Sequence, residues 1–402
     1  MSIEVLKGTV RHYDWGGYSF IPFLLDMPNE KKQPFAEYWL GVHPQADCIL
    51  GETQHVLRNV ISNNPSGTLG KYVAERFGNM PYLLKALDVK DMLSIQVHPS
   101  KAEAEKDFAK ENAAGIPLDS PKRNYKDDNH KPELMVAMGD FWLLHGFKPP
   151  KELEYTLSNV AELRELLPVY KQSGYAGLYK HVMEMPQPEV NRILRPLVDK
   201  VIELYKQNKA DKNKEDFWAA RAALTFNKGQ DIDRGIFSVY LFNVVKLERG
   251  EAIFQDAGVP HAYLEGQNIE IMASSDNVLR GGLTTKHIDV PELLKHVKCE
   301  PTYPNILKGE IRNSERVYKT PAPDFELSSF SMGENDGVSF TANTAEILLL
   351  AEGEVAVYDG GKQVILKRGW PSAVVFPGDK ITIRSAGNSL LFRASVPVHI
   401  GE

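Results

Sequence analysis

The sequence predicts a mainly β protein with a helical insert, and three observations predict it. Short apolar runs broken by Gly, Pro and Asn fill residues 1–150, helical spacing takes over across 151–226, and β-rich runs return from about 238 to the end. A chain of 402 residues is too long for one ordinary core and calls for two or three domains.

The first stretch, 1–150, reads as the opening part of a β-rich domain with irregular insertions. Within it, Ser94-Ile95-Gln96-Val97-His98-Pro99 is a strand end. Strand alternation places Gln96 and His98 on one face and Ile95 and Val97 on the other. Pro99 stops the ladder, and Ser100 with Glu103 forms a capping box that opens an acidic, alanine-rich helix. Farther on, Pro132 fixes the backbone before Glu133, and the following apolar run reads as a buried strand with Glu133 at its mouth. Taken alone, the polar residues Asp127 to Lys131 read as a solvated loop.

The insert, 151–226, is helical. Val190, Ile193, Leu194, Leu197, Val198, Val201, Ile202 and Tyr205 recur at helical spacing, and Glu152 to Leu167 carries a similar rhythm. Ser238 to Leu247, rich in β-branched and aromatic residues, then reads as a strand. A turn at Arg249-Gly250-Glu251 and another strand lead to Gly258-Val259-Pro260-His261. The first β-rich domain is therefore expected to be discontinuous and to be completed by 227–301. Glu270, Asp276, Arg280 and Lys286 are expected to follow a strand. Met272, Val278 and Leu283 are interleaved among them, which predicts partial burial of the charges rather than a salt-bridged surface loop.

The last segment, 302–402, reads as a second β unit. Arg368-Gly369 followed by Phe376-Pro377-Gly378-Asp379 echoes the turn, strand and proline turn of Arg249-Gly250 through Pro260-His261, a degenerate repeat of jelly-roll type. In this alignment Gly378 takes the place of His261, so only the first copy keeps that side chain.

Composition excludes several classes. The chain is 43% hydrophobic and 25% charged, as in soluble globular proteins, and its net charge of -6 gives no electrostatic case for nucleic acid or an anionic membrane. The sequence has neither a signal-type apolar run at its start nor roughly 18 uninterrupted apolar residues for a membrane span, so a cytoplasmic protein is expected. Cys48 and Cys299 are too few for a disulfide framework and are expected as reduced thiols. Gln96, His98, Glu133 and His261 jointly offer two imidazoles, a carboxylate and an amide oxygen, a donor set that suits Zn(II) or Fe(II).

His12-Tyr13-Asp14-Trp15-Gly16, Ser94 to Pro99, Asn129-His130-Lys131-Pro132-Glu133, Gly258 to Tyr263 and the run from Asn268 to Lys286 together resemble the type I mannose-6-phosphate isomerases, or phosphomannose isomerases, in identity, order and spacing. The resemblance implies a cupin-type β-sandwich bearing a helical domain and a second, metal-free cupin-like domain. It implies one Zn(II) per chain on Gln96, His98, Glu133 and His261. It assigns an essential arginine to Arg280, further active-site positions to Lys131, Glu270 and Asp276, and phosphate contacts to Ser94, Lys85 and Lys286. The implied partner is a small sugar phosphate, and the implied reaction moves a proton between C2 and C1 of open-chain mannose 6-phosphate and fructose 6-phosphate through an enediol, leaving open which of Glu270, Asp276 and Lys131 carries it. Gly281 and Thr285 depart from the Ala and Pro common in relatives. Two rivals remain: an Fe(II) cupin oxygenase using His98, Glu133 and His261, against which Gln96 counts by filling a position that O₂ would need, and a non-catalytic sugar-phosphate-binding double cupin, against which the acid–base candidates around Arg280 count.

Overall fold

The computed structural model describes residues 3–397, so residues 1–2 and 398–402, the ends of the expected segments 1–150 and 302–402, lie outside the described residues. Mainly β architecture with helices is what it contains. Strands Glu37–His43, Tyr82–Val89, His261–Ala273 and Phe141–Phe147 form the antiparallel spine of the sheet that carries the motif segments, with Glu133–Ala137, Ala252–Gln255, Gln96–Val97 and Leu279–Arg280 branching from it.

The long strand His261–Ala273 serves both layers of this sandwich. Its first residues pair with Phe141–Phe147 and Gln96–Val97, and those beyond Gly266 pair with Tyr82–Val89 and Glu133–Ala137. The register shifts between Tyr263 and Glu265, and Gly266 sits at φ +131, where an added Cβ would lie 2.7 Å from the Asp140 carbonyl oxygen. A glycine bulge of this kind bends the strand into a corner. Between the layers lie Leu87, Met135, Phe141, Leu143, Ile253 and Tyr263.

Alternation along the three central strands divides their side chains between two surroundings. Tyr38, Leu40, Tyr82, Leu84, Ile269 and Ile271 pack against Phe325, Leu327, Ile347, Leu349 and Phe392 of the C-terminal β unit. Tyr82 Oη also donates to the carbonyls of Ala345 and Ala394, each at 3.0 Å. Glu37, Trp39, Lys85 and Glu270 occupy the opposite face, and this is what aims charged side chains into the sandwich.

Helices Pro150–Asn159, Leu166–Glu184, Gln187–Lys206 and Glu215–Phe226 pack Val190, Leu194, Leu197 and Val201 with Trp218, and this core reaches Ile95, Val97 and Ala262 beside the motif strands. Among the described residues no helix is long and apolar enough to cross a membrane.

Three expectations are corrected. Ser238 to Leu241 are not strand but the end of helix Gly235–Leu241, with the strand starting at Phe242. All seven helix residues are buried, so no polar face marks a period and β-branched content misleads. Glu270 lies inside the strand rather than after it. In the repeat, strands Ala252–Gln255 and Ser372–Val375 are each followed three residues on by a left-handed glycine, Gly258 (φ +80) and Gly378 (φ +98), so Gly378 aligns with Gly258 and not with His261. Proline position misled the alignment because it is the left-handed glycine that the turn requires. In addition, Ile3–Lys7, at the start of the expected catalytic segment, adds a strand to the C-terminal sheet, pairing Ile3 with Val375 and Val5 with Ala373.

Candidate active site

His98, Glu133 and His261 come from three different strand ends, yet one ligand atom from each lies within 4.8 Å of the others, and all three are buried. His98 Nε2 is 3.5 Å from one oxygen of Glu133 and His261 Nε2 is 3.3 Å from the other. The remaining ring nitrogens fix the tautomers. His98 Nδ1 lies 2.8 Å from the Asn277 carbonyl and His261 Nδ1 3.0 Å from the Val259 carbonyl, and because a carbonyl only accepts, each Nδ1 carries the hydrogen. Both Nε2 lone pairs therefore face a carboxylate, and buried His98 Nε2 has no hydrogen-bond donor. Acceptors facing acceptors in a buried space call for a cation between them, and two imidazoles with a carboxylate are donors that fit zinc. Gln96 stands directly opposite His261 in the antiparallel ladder, its side chain on the same face, so the structure brings the fourth expected ligand to the same place.

The protonation states agree with this geometry. Burial, with Lys131 adding to it, pushes His98 down to about 4, which keeps the ring neutral. Burial alone would raise Glu133, but the Lys131 ammonium and then His98 outweigh it and hold the carboxyl well below the usual range. Lys131 Nζ donates to Glu133 Oε1.

Beside the trio lies a cavity of about 50 Å³ lined by Glu37, Lys85, Gln96, Lys131, His261 and Glu270 among others. Lys85 Nζ sits 3.5 Å from Glu37 and 3.3 Å from Glu270. Burial would lower this lysine, and the two carboxylates, Glu37 before Glu270, instead raise it. Tyr263 Oη donates to Glu270 at 2.8 Å, while burial and then the Glu133 charge raise the Glu270 pKa. Two larger spaces open outward. One of about 560 Å³ is lined by Ser94, Gln96, Lys131, Arg280, Thr284 and Lys286, and the other, of about 810 Å³, includes Trp39, His43, Lys85, Lys131, Asp276 and Arg280. Arg280 stands opposite Gln96 in the ladder and joins the two.

The expected residues are thus sorted by position. Lys85 is clamped between two carboxylates beside the metal-type trio and lines the space of about 810 Å³ together with Lys286, whereas Ser94 lines the space of about 560 Å³, which Lys286 also lines. Sequence alone could not place Lys85 there, because it reaches Glu270 only through cross-strand register. Glu270 faces the inner cavity. Asp276 lies farther out, 3.3 Å from His43 Nε2, and although burial would raise it, the His43 contact lowers its pKa. Lys286 is exposed rather than partly buried.

Other contributors were not singled out from sequence. Glu37 and Trp39 alternate inward in Glu37–His43, and a charged residue within a wholly buried strand was the available signal. His145 stands opposite His261 and places Nδ1 2.8 Å from Gln255 Oε1, with Gln255 opposite Glu133; no motif marks this pair. Asn277, through the carbonyl that holds His98 and amide bonds to Asp127 and Asn129 carbonyls of 2.8 and 2.9 Å, ties the Arg280 loop to the segment bearing Lys131.

An antiparallel sandwich enclosing two histidines and a carboxylate beside a buried acid–base cluster defines a metal-dependent enzyme of the cupin class. Residues 3–150 match the family model described as phosphomannose isomerase type I, catalytic domain. Mannose-6-phosphate isomerase of Shigella flexneri and that of Escherichia coli (strain K12) are each 36% identical to this chain over 394 residues, covering 96% of it and 98% of theirs. The crystal structure of mannose 6-phosphate isomerase from Salmonella typhimurium bound to fructose 6-phosphate and zinc superposes with a TM-score of 0.88 at 34% identity, covering 99% of this chain and 100% of that one. The chain belongs to the type I phosphomannose isomerase family.

Proposed function

We propose that this chain interconverts mannose 6-phosphate and fructose 6-phosphate with zinc, at the cavity joining His98, Glu133 and His261 to Lys85 and Glu270. The near-full-length relative bound to fructose 6-phosphate and zinc carries the choice of substrate and metal. Gln96, His98, Glu133 and His261 would hold the ion, which when bound supplies a Lewis acid able to polarise the sugar's carbonyl and hydroxyl oxygens.

The protein's own groups supply the rest. Moving hydrogen from C2 to C1 through an enediol requires a base that removes the C2 proton and returns it to C1, while the O2 hydroxyl proton passes to O1, so that C2 becomes the carbonyl and C1 the hydroxymethyl group. Glu270 is the group we assign to this, because its carboxyl faces the inner cavity and is raised by burial toward the range in which a carboxyl both takes and gives a proton. Tyr263 and Lys85 orient that carboxylate through the contacts described above. Arg280 places a permanent cation where negative charge develops on the substrate oxygens. Lys131 neutralises Glu133, and Asp276 with His43 lines the wider approach. Ser94 and Lys286 are assigned to the phosphate in the outer cavity, joined by the Thr284 hydroxyl.

The division into a catalytic unit of 1–150 and 227–301, a helical insert of 151–226 and a C-terminal unit of 302–402 belongs to the same reading, with Ile3–Lys7 lent to the C-terminal sheet. A cytoplasmic location is also part of it, supported by two free cysteines.

A coupled assay forming fructose 6-phosphate from mannose 6-phosphate, before and after zinc removal, tests the proposal. Zinc-dependent turnover is expected; a zinc-loaded protein without turnover sinks it.

A further inference from the structure

The loop after Arg280 carries Thr284 and Lys286 to the outer cavity, and a single carboxylate from outside the metal-bearing strands pins it. Asp233 Oδ1 accepts the amide N–H of Leu283 at 2.8 Å and that of Gly235 at 2.7 Å, while Oδ2 accepts from Thr284 at 3.1 Å. Asp233 is itself placed by its own N–H, which donates to Asn227 Oδ1 at 3.0 Å. The two segments touch backbone to backbone: a Cβ on Gly282 would lie 2.4 Å from Gly235 Cα. Leu283 holds φ +51 with its side chain wholly buried, a conformation that a non-glycine residue keeps only when its surroundings impose it.

The other edge of the loop is held by the strand end that carries Ser94. Gly281 N–H donates to the Ile95 carbonyl at 2.9 Å and Ile95 N–H to the Gly282 carbonyl at 3.0 Å. Gly281 packs closely against the helical insert, since a Cβ there would meet Tyr179 Oη at 2.8 Å. Thr225 and Phe226, at the end of helix Glu215–Phe226, line the same outer cavity as Ser94, Thr284 and Lys286, and Lys228 Nζ reaches the Thr285 carbonyl at 3.4 Å.

We infer that Asp233 is a positioning residue for substrate phosphate: by gathering the Leu283 and Thr284 amides it sets the loop so that Thr284 and Lys286 converge with Ser94 on one anion. This rests on the reading that the outer cavity takes the phosphate. Arg280 is held separately, through its ladder with Gln96, so loosening the latch weakens phosphate binding and leaves the chemical step in place.

The test uses the zinc-loaded full chain and Asp233→Asn, which keeps the shape but turns one acceptor oxygen into a donor facing the Thr284 N–H. KM for mannose 6-phosphate should rise about tenfold, the inhibition constant of inorganic phosphate should rise by the same factor, and kcat should stay within about threefold. Asp233→Ala should enlarge both shifts; if it does not fold, the near-isosteric variant carries the test. A variant that loses thermal stability with KM and phosphate inhibition unchanged makes Asp233 a structural cap only and overturns the inference. So does a KM rise without weaker phosphate inhibition, or a fall in kcat alone. Should the wild-type protein not turn over mannose 6-phosphate, calorimetric binding of inorganic phosphate to wild type and Asp233→Asn decides the latch separately from the reaction, with equal affinities overturning it.

Discussion

At the residue scale, the proposed function assigns metal holding and action on substrate to separate groups. His261 points a lone pair at Glu133 from a ring whose Nδ1 hydrogen is fixed by the Val259 carbonyl, whereas Arg280 lies outside the trio at the meeting of the two outer cavities. His261→Ala should therefore lose zinc together with activity. Arg280→Ala should keep one zinc per chain and lose about 10² to 10³ in turnover, the cost of removing one preorganised charge stabiliser. Metal analysis beside kinetics checks both, and an Arg280→Ala enzyme within about twofold of wild type would remove that residue from the mechanism. The two acids differ in a measurable way as well. Glu270 lines the inner cavity with a raised pKa, while Asp276 sits outside it with a lowered one. Glu270→Gln should depress both turnover and the wash-in of deuterium at C1 of fructose 6-phosphate formed in D₂O, with zinc retained, and Asp276→Asn should depress them less. Full turnover in Glu270→Gln, with C2 deuterium passing to C1 without loss to solvent, would point to a hydride shift instead.

At the element scale, the strand end at His98 is braced by the helix that follows. Helix Lys101–Ala113 starts with a complete capping box: Ser100 Oγ accepts from the Glu103 N–H at 3.4 Å, and the Glu103 carboxylate accepts from the Ser100 N–H at 3.0 Å. Glu103 also lies 3.2 Å from His296 Nδ1 on helix Val290–His296, so the cap joins two helices behind the site. Ser100→Ala should cost about 1 kcal/mol of stability, read as a lower denaturant midpoint with an unchanged slope. A midpoint equal to wild type would mean that Glu103 and His296 hold the helix start without the serine. The capping box, the buried strand at Glu133 and the helical face from Val190 to Val201 were all legible in sequence because each is set by neighbours within a few residues.

At the scale of the whole molecule, burial of neutral histidines links stability to pH. Burial pushes both His98 and His145 down to about 4 from the ordinary 6.5, with the His98 shift enlarged by Lys131 and the His145 shift by His261. Between those values the unfolded chain binds protons that the folded one does not, so stability is full above about 6.5, falls as the pH drops and is wholly lost from these groups below about 4. The zinc-free protein should show a Tm that declines through this window, and His145→Gln should flatten the decline. A Tm independent of pH across it would mean that these rings take up protons in the folded state as readily as in the unfolded one. Zinc should oppose the loss, because an ion that binds only the folded state stabilises it by mass action.

The sequence by itself determined the mainly β class, the helical insert near 151–226, the donor types of the candidate metal trio and, through the order of its motifs, the family, since these are written in local periodicity, turn residues and short strings. Tertiary structure alone decided that Lys85 lies between Glu37 and Glu270, that Gly258 rather than His261 matches Gly378, that Ile3–Lys7 joins the C-terminal sheet, and that Asp233 holds the loop after Arg280. Each depends on cross-strand register or on contact between segments far apart in the chain: Lys85 and Glu270 are adjacent only because Tyr82–Val89 pairs with His261–Ala273. Local chemistry sets what a segment can be, and its charged groups find their partners only when strands distant in sequence align.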